Sequence, residues 1–179
     1  MALNHYYIWS LIHLLKQWYG YKNISTAVIF AQAKHETGNF TSAIYEENNN
    51  LFGMQVPSIR KNYVTGKNRG HATFKSLFDS VRDYFLRQQN FRIPSTSDEE
   101  YMIRTNNSGY AEDMSYYNKW KSVLAGVKAP FPKWLGIILI LIGILLFAYI
   151  IDGVLHGWNR NNNAKRFNKS VKKFEINHG

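Results

Sequence analysis

The chain of 179 residues has no cysteine, which excludes disulfide bonds and thiolate metal sites. No set of histidines has the spacing of metal ligands, so we predict neither a metal nor another cofactor. The first 20 residues have no basic leader and no small-residue cleavage site, and we expect them to form the first helix of a domain, not a secretion signal.

Acidic residues are scarce, and the formal net charge is +10. Residues 1–133 contain 16 Lys and Arg against 10 acidic residues, and residues 134–179 contain six against two. A basic chain favours polyanionic partners such as cell-wall polymer, anionic lipid or nucleic acid. Residues 51–78 contain no Asp or Glu at all.

Residues 134–151, WLGIILILIGILLFAYII, contain no charge. These 18 residues lie at the lower edge of the length that crosses a bilayer, roughly 20 residues. Trp134, Tyr149 and Trp158 stand near the two ends, where aromatic side chains anchor a helix at the interface. We therefore predict a transmembrane helix at 134–151.

The regions beside this span are also predicted from composition. Pro130 and Pro132 indicate a stiff linker at residues 129–133. The polar, Asn-rich tail at 152–179 is expected to be disordered, or to lie along lipid headgroups or nucleic acid.

Residues 1–128 are predicted to form one mainly helical domain. The first helix has Asn4 as its cap and Gly20 at its end, with a helical stripe of five apolar residues: Ile8, Leu11, Ile12, Leu15 and Trp18. The second begins at Ser25 or Thr26 and ends at Glu36, followed by a C-terminal glycine, Gly38.

The middle of the domain is predicted to be less regular. Residues 39–55 resemble an irregular loop, and residues 56–74 resemble a short hairpin or flap with turn signals at Thr65–Gly66 and Arg69–Gly70. Capping patterns then begin two helices, Ser76 with Asp79 and Ser97 with Glu100. A further helix runs from about Met114 to Gly126.

Glu36 is the strongest candidate for a catalytic residue. Cleavage of a glycosidic bond needs an acid that stays protonated near neutral pH. A carboxyl group in the last turn of a helix faces partial negative charge, which raises its pKa. Burial against Phe40 and Phe52 is expected to act in the same direction.

Four motifs support a family resemblance. AQAKHETGNF at 31–40 and NNLFGM at 49–54 resemble the signature of the glucosaminidase family of peptidoglycan hydrolases. ATFKSLFDSVRDYFLRQQNF at 72–91 resembles the family's aromatic-Ser-aspartate helix, and GYAEDMSYYNKW at 109–120 resembles its G-Y-A-x-D-x-x-Y segment. The motifs occur in the family's order.

The resemblance implies a mainly α, lysozyme-like fold with a short β-hairpin flap, and an enzyme that cleaves peptidoglycan. It implies Glu36 as the catalytic glutamate and Tyr110 as the cleft tyrosine, which either bonds substrate, positions Glu36 or is simply a partly buried core residue. Asn50 and Phe52 are expected to shape the substrate-binding cleft floor, and Gly53 to permit close packing there.

The flap departs from the family pattern. The family often has a second acidic residue between N-L-F-G and the next helix, and this chain has none there. Glu46 and Glu47 are candidates for a substitute, although a solvated loop role is favoured for both. Without a second carboxylate, the substrate's own N-acetyl group assists, or a single acid/base forms an anhydro sugar. The sequence therefore predicts glycan-strand cleavage and leaves the bond and product open.

The predicted span suggests a single-pass membrane protein. Its basic tail would remain cytoplasmic, yet no signal is evident to export the domain before it. A phage enzyme stored in a virion membrane, in contact with capsid proteins and used at entry or lysis, removes that conflict. The alternative is a non-catalytic virion protein with a glycan- or capsid-binding domain and a tail facing nucleic acid.

Overall fold

The computed structural model describes residues 2–111, 113, 115–129, 147, 149 and 151. Contacts within the chain separate Met1–Pro130 from Phe131–Gly179, and the elements named here lie in the first unit. Their order is α1 (Ala2–Trp18), α2 (Thr26–Glu36), α3 (Ala43–Asn48), β1 (Val64–Asn68), β2 (His71–Phe74), α4 (Leu77–Asn90), α5 (Asp98–Thr105) and α6 (Tyr116–Ala125). This confirms the mainly helical domain with a hairpin.

Helix α2 lies in the hydrophobic core and carries Glu36 at its end. Ser25 caps its start, because its Oγ accepts the backbone N–H of Val28 at 3.3 Å. Val28 to Ala33 are all buried, and α1 and α6 both pack against α2. Trp120 of α6 donates its indole N–H to the carbonyl of Val28 at 2.9 Å. Glu36 is therefore held by a helix with little freedom to move.

The capping patterns identify two later helices correctly. Ser76 Oγ accepts the N–H of Asp79 at 3.2 Å at the start of α4, and Ser97 Oγ accepts the N–H of Glu100 at 3.3 Å at the start of α5. After α5 the chain makes one wider, π-helical turn at Asn106–Tyr110. The predicted cap at Asn4 is wrong, because α1 begins at Ala2 and the Asn4 amide donates instead to the hydroxyl of Tyr45.

The Asn-rich loop is more ordered than its composition indicates. Helix α3 occupies residues 43–48, within the range predicted to be irregular. The next side chains bond to the hairpin: Asn48 Nδ2 donates to the carbonyl of Asn68, Asn49 Nδ2 to that of Phe74, and Asn50 Nδ2 to that of Ala72, at 3.0 to 3.1 Å. These three amides therefore join the end of α3 and the loop after it to the backbone of the hairpin.

The predicted flap is an antiparallel hairpin of β1 and β2. Its turn is at Arg69 and Gly70, both with positive φ of 51° and 81°, as a two-residue hairpin turn requires. Below the hairpin, Arg60 forms two hydrogen bonds of 2.6 and 3.0 Å with the fully buried carboxylate of Asp83. The basic flap residue Arg60 is thus used to fix the flap to α4.

The predicted transmembrane helix at 134–151 requires a correction. Only Phe147, Tyr149 and Ile151 of that range are described, each in a helix, and its other residues lie outside the described part, as does the tail at 152–179. A bilayer is crossed by roughly 20 apolar residues, and none of the helices described is long and apolar enough to do so. The predicted fold class with a membrane helix and the single-pass localisation are therefore not supported.

Candidate active site

The turn after α2 fixes the direction of Glu36. Thr37 is buried, and its hydroxyl donates to the carbonyl of Ala33 at 2.6 Å and accepts the N–H of Phe40 at 2.9 Å. Gly38, Asn39 and Phe40 then all have positive φ, between 55° and 63°. The chain reverses sharply here, so the threonine and glycine of the E-T-G motif form the turn while its glutamate remains on the last turn of the helix.

The carboxyl group of Glu36 is half-buried, and among the described residues one side chain donates a hydrogen bond to it. Tyr116 of α6 donates its hydroxyl to Oε1 at 2.5 Å. Burial raises the pKa of Glu36 to about 7. The hydrogen bond from Tyr116 has the opposite, smaller effect, because it favours the charged form. Near neutral pH this carboxyl group therefore exists in both forms, as a residue that gives and takes a proton must.

Glu36 opens into a groove of about 880 Å³. Residues 52–60 line one side, and the other side is made by α4 and the π-helical turn through Arg87, Asn90, Phe91, Gly109 and Tyr110. Among these described lining residues Glu36 is the only acid. A groove of this size can hold part of a chain of several sugar rings.

Gly53 lies directly against the catalytic candidate. Its φ is +60°, and a Cβ atom at this position would stand 3.1 Å from Glu36 Oε2. The N-L-F-G motif therefore supplies a residue that allows the loop to approach the carboxyl group closely. A role of Gly53 in binding substrate stays a prediction.

Phe52 and Asn50 are buried residues that support the loop at the edge of the groove. Phe52 is 1% exposed, and its ring stacks on Tyr84 with the centroids 3.9 Å apart. Asn50 is fully buried, and its Oδ1 accepts the N–H groups of Phe52 and Met54 while its Nδ2 donates to the carbonyl of Met54. Asn50 holds the loop that carries Gly53, and contact of Asn50 or Phe52 with substrate stays a prediction.

Tyr110 lines the groove but bonds to the loop, not to Glu36. Its hydroxyl donates to the carbonyl of Phe52 at 2.6 Å, and its ring stacks on Tyr116 with a centroid separation of 5.8 Å. Tyr110 thus packs against the residue that donates to Glu36. A direct bond from Tyr110 to substrate stays a prediction.

Glu46 and Glu47, the two candidates for a second carboxylate, lie outside the lining of the groove. Glu47 accepts two hydrogen bonds from Arg69 at 2.8 and 2.9 Å, which fix α3 to the hairpin turn. Glu46 is exposed on the same short helix. Neither is among the described residues that line the groove, and no group of three or more metal-ligating side chains is found in the described part of the chain.

Sequence reasoning missed Tyr116, Gln32 and Arg87. Gln32 Nε2 donates to the Tyr116 hydroxyl at 2.9 Å, and Gln32 Oε1 accepts the Tyr84 hydroxyl at 2.6 Å. Gln88 Nε2 donates to Tyr84 at 3.1 Å, and Arg87 Nη1 donates to Gln88 Oε1 at 2.9 Å. A polar residue at position 32 between buried Ala31 and Ala33 was the available signal, since a buried amide needs partners.

The donors and acceptors of this buried network fix the direction of the hydrogen bond from Tyr116 to Glu36. The Tyr116 oxygen already accepts from Gln32, so its single proton is available to Glu36. We therefore assign Tyr116 a positioning role, because it orients the carboxyl group and lowers its pKa.

A groove with one carboxyl group of raised pKa is the kind of site that a glycoside hydrolase presents. The sequence profile of the glucosaminidase family, described as mannosyl-glycoprotein endo-beta-N-acetylglucosaminidase, matches residues 13–129. The match covers more than half of the chain, which belongs to the glucosaminidase family. The identification of an enzyme of the peptidoglycan-hydrolase class from the sequence is confirmed.

Individual relatives are more distant. Protein bax of Escherichia coli (strain K12) is 38% identical over 61 residues, which are 34% of this chain and only 22% of that protein. The structure of a type VI secretion system effector–immunity complex from Pseudomonas protegens has 18% identity and a TM-score of 0.50, and covers 68% of this chain and 92% of that one.

A peptidoglycan hydrolase mutant from Sphingomonas sp. A1 has 21% identity and a TM-score of 0.50, with 65% of this chain and 87% of that one covered. These two structures show the fold. The named relatives are bacterial, and phage origin and the capsid and nucleic-acid partners receive no support from them.

The contact between Gly53 and Glu36 yields a prediction with a matched control. Gly53→Ala and Gly70→Ala both place a Cβ at positive φ, which costs about 1–2 kcal/mol of stability in each. Only Gly53→Ala displaces the carboxyl group, since nothing lies within 4 Å of a Cβ at Gly70. We expect glycan-cleaving activity to fall roughly 10- to 100-fold in Gly53→Ala alone, measured at equal folded fraction. Equal activity in the two variants would contradict the assignment of this contact to the site.

Proposed function

We propose that this chain cleaves the glycan strand of peptidoglycan, with Glu36 as the general acid. The observation that carries the proposal is the half-buried Glu36 carboxyl group, with a pKa of about 7, facing a groove of about 880 Å³. An acid of this pKa is protonated in a large fraction of molecules at neutral pH and can give its proton to the oxygen of the leaving sugar.

The proposed mechanism uses one protein carboxyl group. The two-carboxylate scheme needs a second acid about 5 to 9.5 Å from the first, and the described lining of the groove contains only Glu36. Asp83, which lies below the flap, is bound to Arg60 and to the N–H of Tyr63. The substrate's own acetamido group is therefore proposed as the nucleophile, a known exception to the two-carboxylate scheme.

The steps balance with the groups present. Glu36 protonates the glycosidic oxygen as the acetamido oxygen forms a bond to the anomeric carbon and the leaving sugar departs. Water then attacks the same carbon and breaks its bond to the acetamido oxygen, while the Glu36 carboxylate takes a proton from the water, which restores the acid and retains the configuration. Attack by a sugar hydroxyl in place of water would give the anhydro product and needs the same single residue.

The family and the loop opposite Glu36 support a saccharide substrate. The family description names an endo-beta-N-acetylglucosaminidase, which favours cleavage at N-acetylglucosamine. Val56 and Ile59 of the groove wall are 43% and 97% exposed, and they offer apolar surface to the faces of sugar rings.

A zymogram and product analysis on purified peptidoglycan test the proposal. Glu36→Gln keeps the shape of the side chain but cannot donate the proton, so we expect the cleavage rate to fall by at least about 100-fold. Glu46→Gln, an exposed glutamate ten positions away outside the groove lining, is the matched control and should cleave like wild type.

Mass spectrometry of the released fragments identifies the bond. A new reducing end on N-acetylglucosamine is the expected product, and an anhydro sugar would assign the second step to a sugar hydroxyl instead. If wild type and Glu36→Gln cleave equally, or if both bind peptidoglycan and neither cleaves it, the catalytic assignment fails.

The pH dependence gives a separate prediction. A general acid works in its protonated form, so the rate should fall as the pH rises through about 7, the pKa of Glu36. Tyr116→Phe removes the hydrogen bond that favours the charged form, so the pKa should rise and the falling limb should move to higher pH.

Tyr117→Phe changes the adjacent tyrosine, whose hydroxyl bonds to Glu99 on the surface and not to Glu36. Its pH–rate profile should match that of wild type. A falling limb that stays in place in Tyr116→Phe would show that the rate does not follow Glu36.

A further inference from the structure

Arg87 places a buried positive charge in the wall of the groove. Its side chain belongs to α4, is 9% exposed and lines the same groove as Glu36. An arginine this buried has lost most of its hydration, and such charges are normally compensated by a carboxylate. Burial accordingly lowers the pKa of Arg87.

The partners of Arg87 in the described structure are all neutral. Nη1 donates to Gln88 Oε1 at 2.9 Å, and Nη2 donates to the hydroxyl of Ser108 at 2.9 Å and to its carbonyl at 3.4 Å. No ion pair joins Arg87 to a carboxylate of the described residues, whereas Arg60, Arg69, Arg82 and Arg104 each have one.

The guanidinium group is also held in a fixed orientation. Its Cζ atom lies 4.4 Å from the ring centroid of Phe91 and 4.5 Å from that of Tyr110. Both rings line the groove with it. These contacts restrict the plane of the guanidinium group. Since Nη1 donates to Gln88 and Nη2 donates twice to Ser108, two of its five N–H donors, Nε–H and one on Nη1, have no partner among the described residues. The site therefore offers a rigid, desolvated cation that can still donate a charge-assisted hydrogen bond to an anion.

We infer that Arg87 binds a carboxylate of the substrate and selects acidic glycan strands over neutral ones. This inference rests on the proposed function, since it assumes that a glycan occupies the groove. In a peptidoglycan strand every second sugar bears a lactyl group. Its carboxylate is free where the peptide has been removed, and it is amide-linked to a peptide stem with carboxylates of its own elsewhere. A strand of N-acetylglucosamine alone has no carboxylate.

Binding to the full chain carrying Glu36→Gln tests the inference without cleavage of the ligand. Three ligands are compared: a peptide-free N-acetylglucosamine–N-acetylmuramic acid tetrasaccharide, the same tetrasaccharide with peptide stems, and a neutral N-acetylglucosamine tetrasaccharide. Each is titrated against Glu36→Gln and against Glu36→Gln with Arg87→Gln, Arg87→Lys or Arg104→Gln added.

Arg87→Gln should weaken binding of an acidic ligand by about tenfold or more, the loss expected for a charge-assisted hydrogen bond, and leave the neutral ligand unchanged. Arg87→Lys should recover part of the affinity. Arg104→Gln removes an exposed charge that is paired with Glu100 outside the groove lining, and should change none of the three affinities. Loss for the peptide-free ligand assigns the lactyl carboxylate, and loss for the peptide-bearing ligand alone assigns the stem.

Equal weakening of acidic and neutral ligands would mean that Arg87 only supports the fold, and would overturn the inference, as would no weakening at all or no binding of any ligand. The proposed function is tested separately, by cleavage of peptidoglycan by the protein in which both Arg87 and Glu36 are intact. A chain that cleaves peptidoglycan but shows no Arg87-dependent preference loses this inference alone.

Discussion

The hydrogen bond from Tyr116 to Glu36 is the contact on which the rest of the site depends. It joins the end of α2 to the start of α6, two helices separated by 80 residues in the chain. Burial raises the pKa of this carboxyl group and so favours its protonated form. The Tyr116 hydroxyl offsets part of that effect, so that both forms are accessible near neutral pH.

The direction of this bond is set by buried groups that do not themselves line the groove. Gln32 can donate to Tyr116 because its carbonyl oxygen is already bonded to Tyr84, and Tyr84 in turn accepts from Gln88. These buried polar groups satisfy one another's hydrogen bonds, which offsets the cost of burying them and fixes their orientations. The same network reaches Arg87 through Gln88, so the acid and the cation of the groove share one support.

The local parts of the fold were predictable because their causes are local. Ser25, Ser76 and Ser97 cap helices through contacts three residues away, and Gly38 takes the positive φ that ends α2. The tract Asn48–Asn50 was less transparent, since its partners are carbonyls of the hairpin about 20 residues later. A polar tract is typical of both an exposed loop and a buried set of hydrogen bonds, and composition does not separate them.

The same distinction between local and distant causes applies to the candidate site. Glu36 and Gly53 belong to motifs whose spacing is visible in the sequence, and the structure brings them so close that a Cβ atom at Gly53 would stand 3.1 Å from Glu36 Oε2. Tyr116 is also a motif residue, the last tyrosine of the G-Y-A-x-D-x-x-Y segment, but its bond to Glu36, 80 residues away, was not visible in the sequence. Arg87 acts through a partner 21 residues away, and several arginines compete for its role in the sequence. The predicted membrane helix rested on an uncharged apolar run with aromatic residues near its ends, and the described part of the chain contains no helix long and apolar enough to cross a membrane.

The most direct test of this account is the pKa of Glu36 itself. Carbon-13 NMR of a sample labelled at the glutamate side-chain carboxyl groups gives one titration curve for each, and comparison with Glu36→Gln identifies the relevant signal. The account predicts a midpoint near 7 for Glu36. A midpoint near the ordinary glutamate value of about 4.3 would mean that the carboxyl group is ionised at neutral pH, and would contradict its role as the acid.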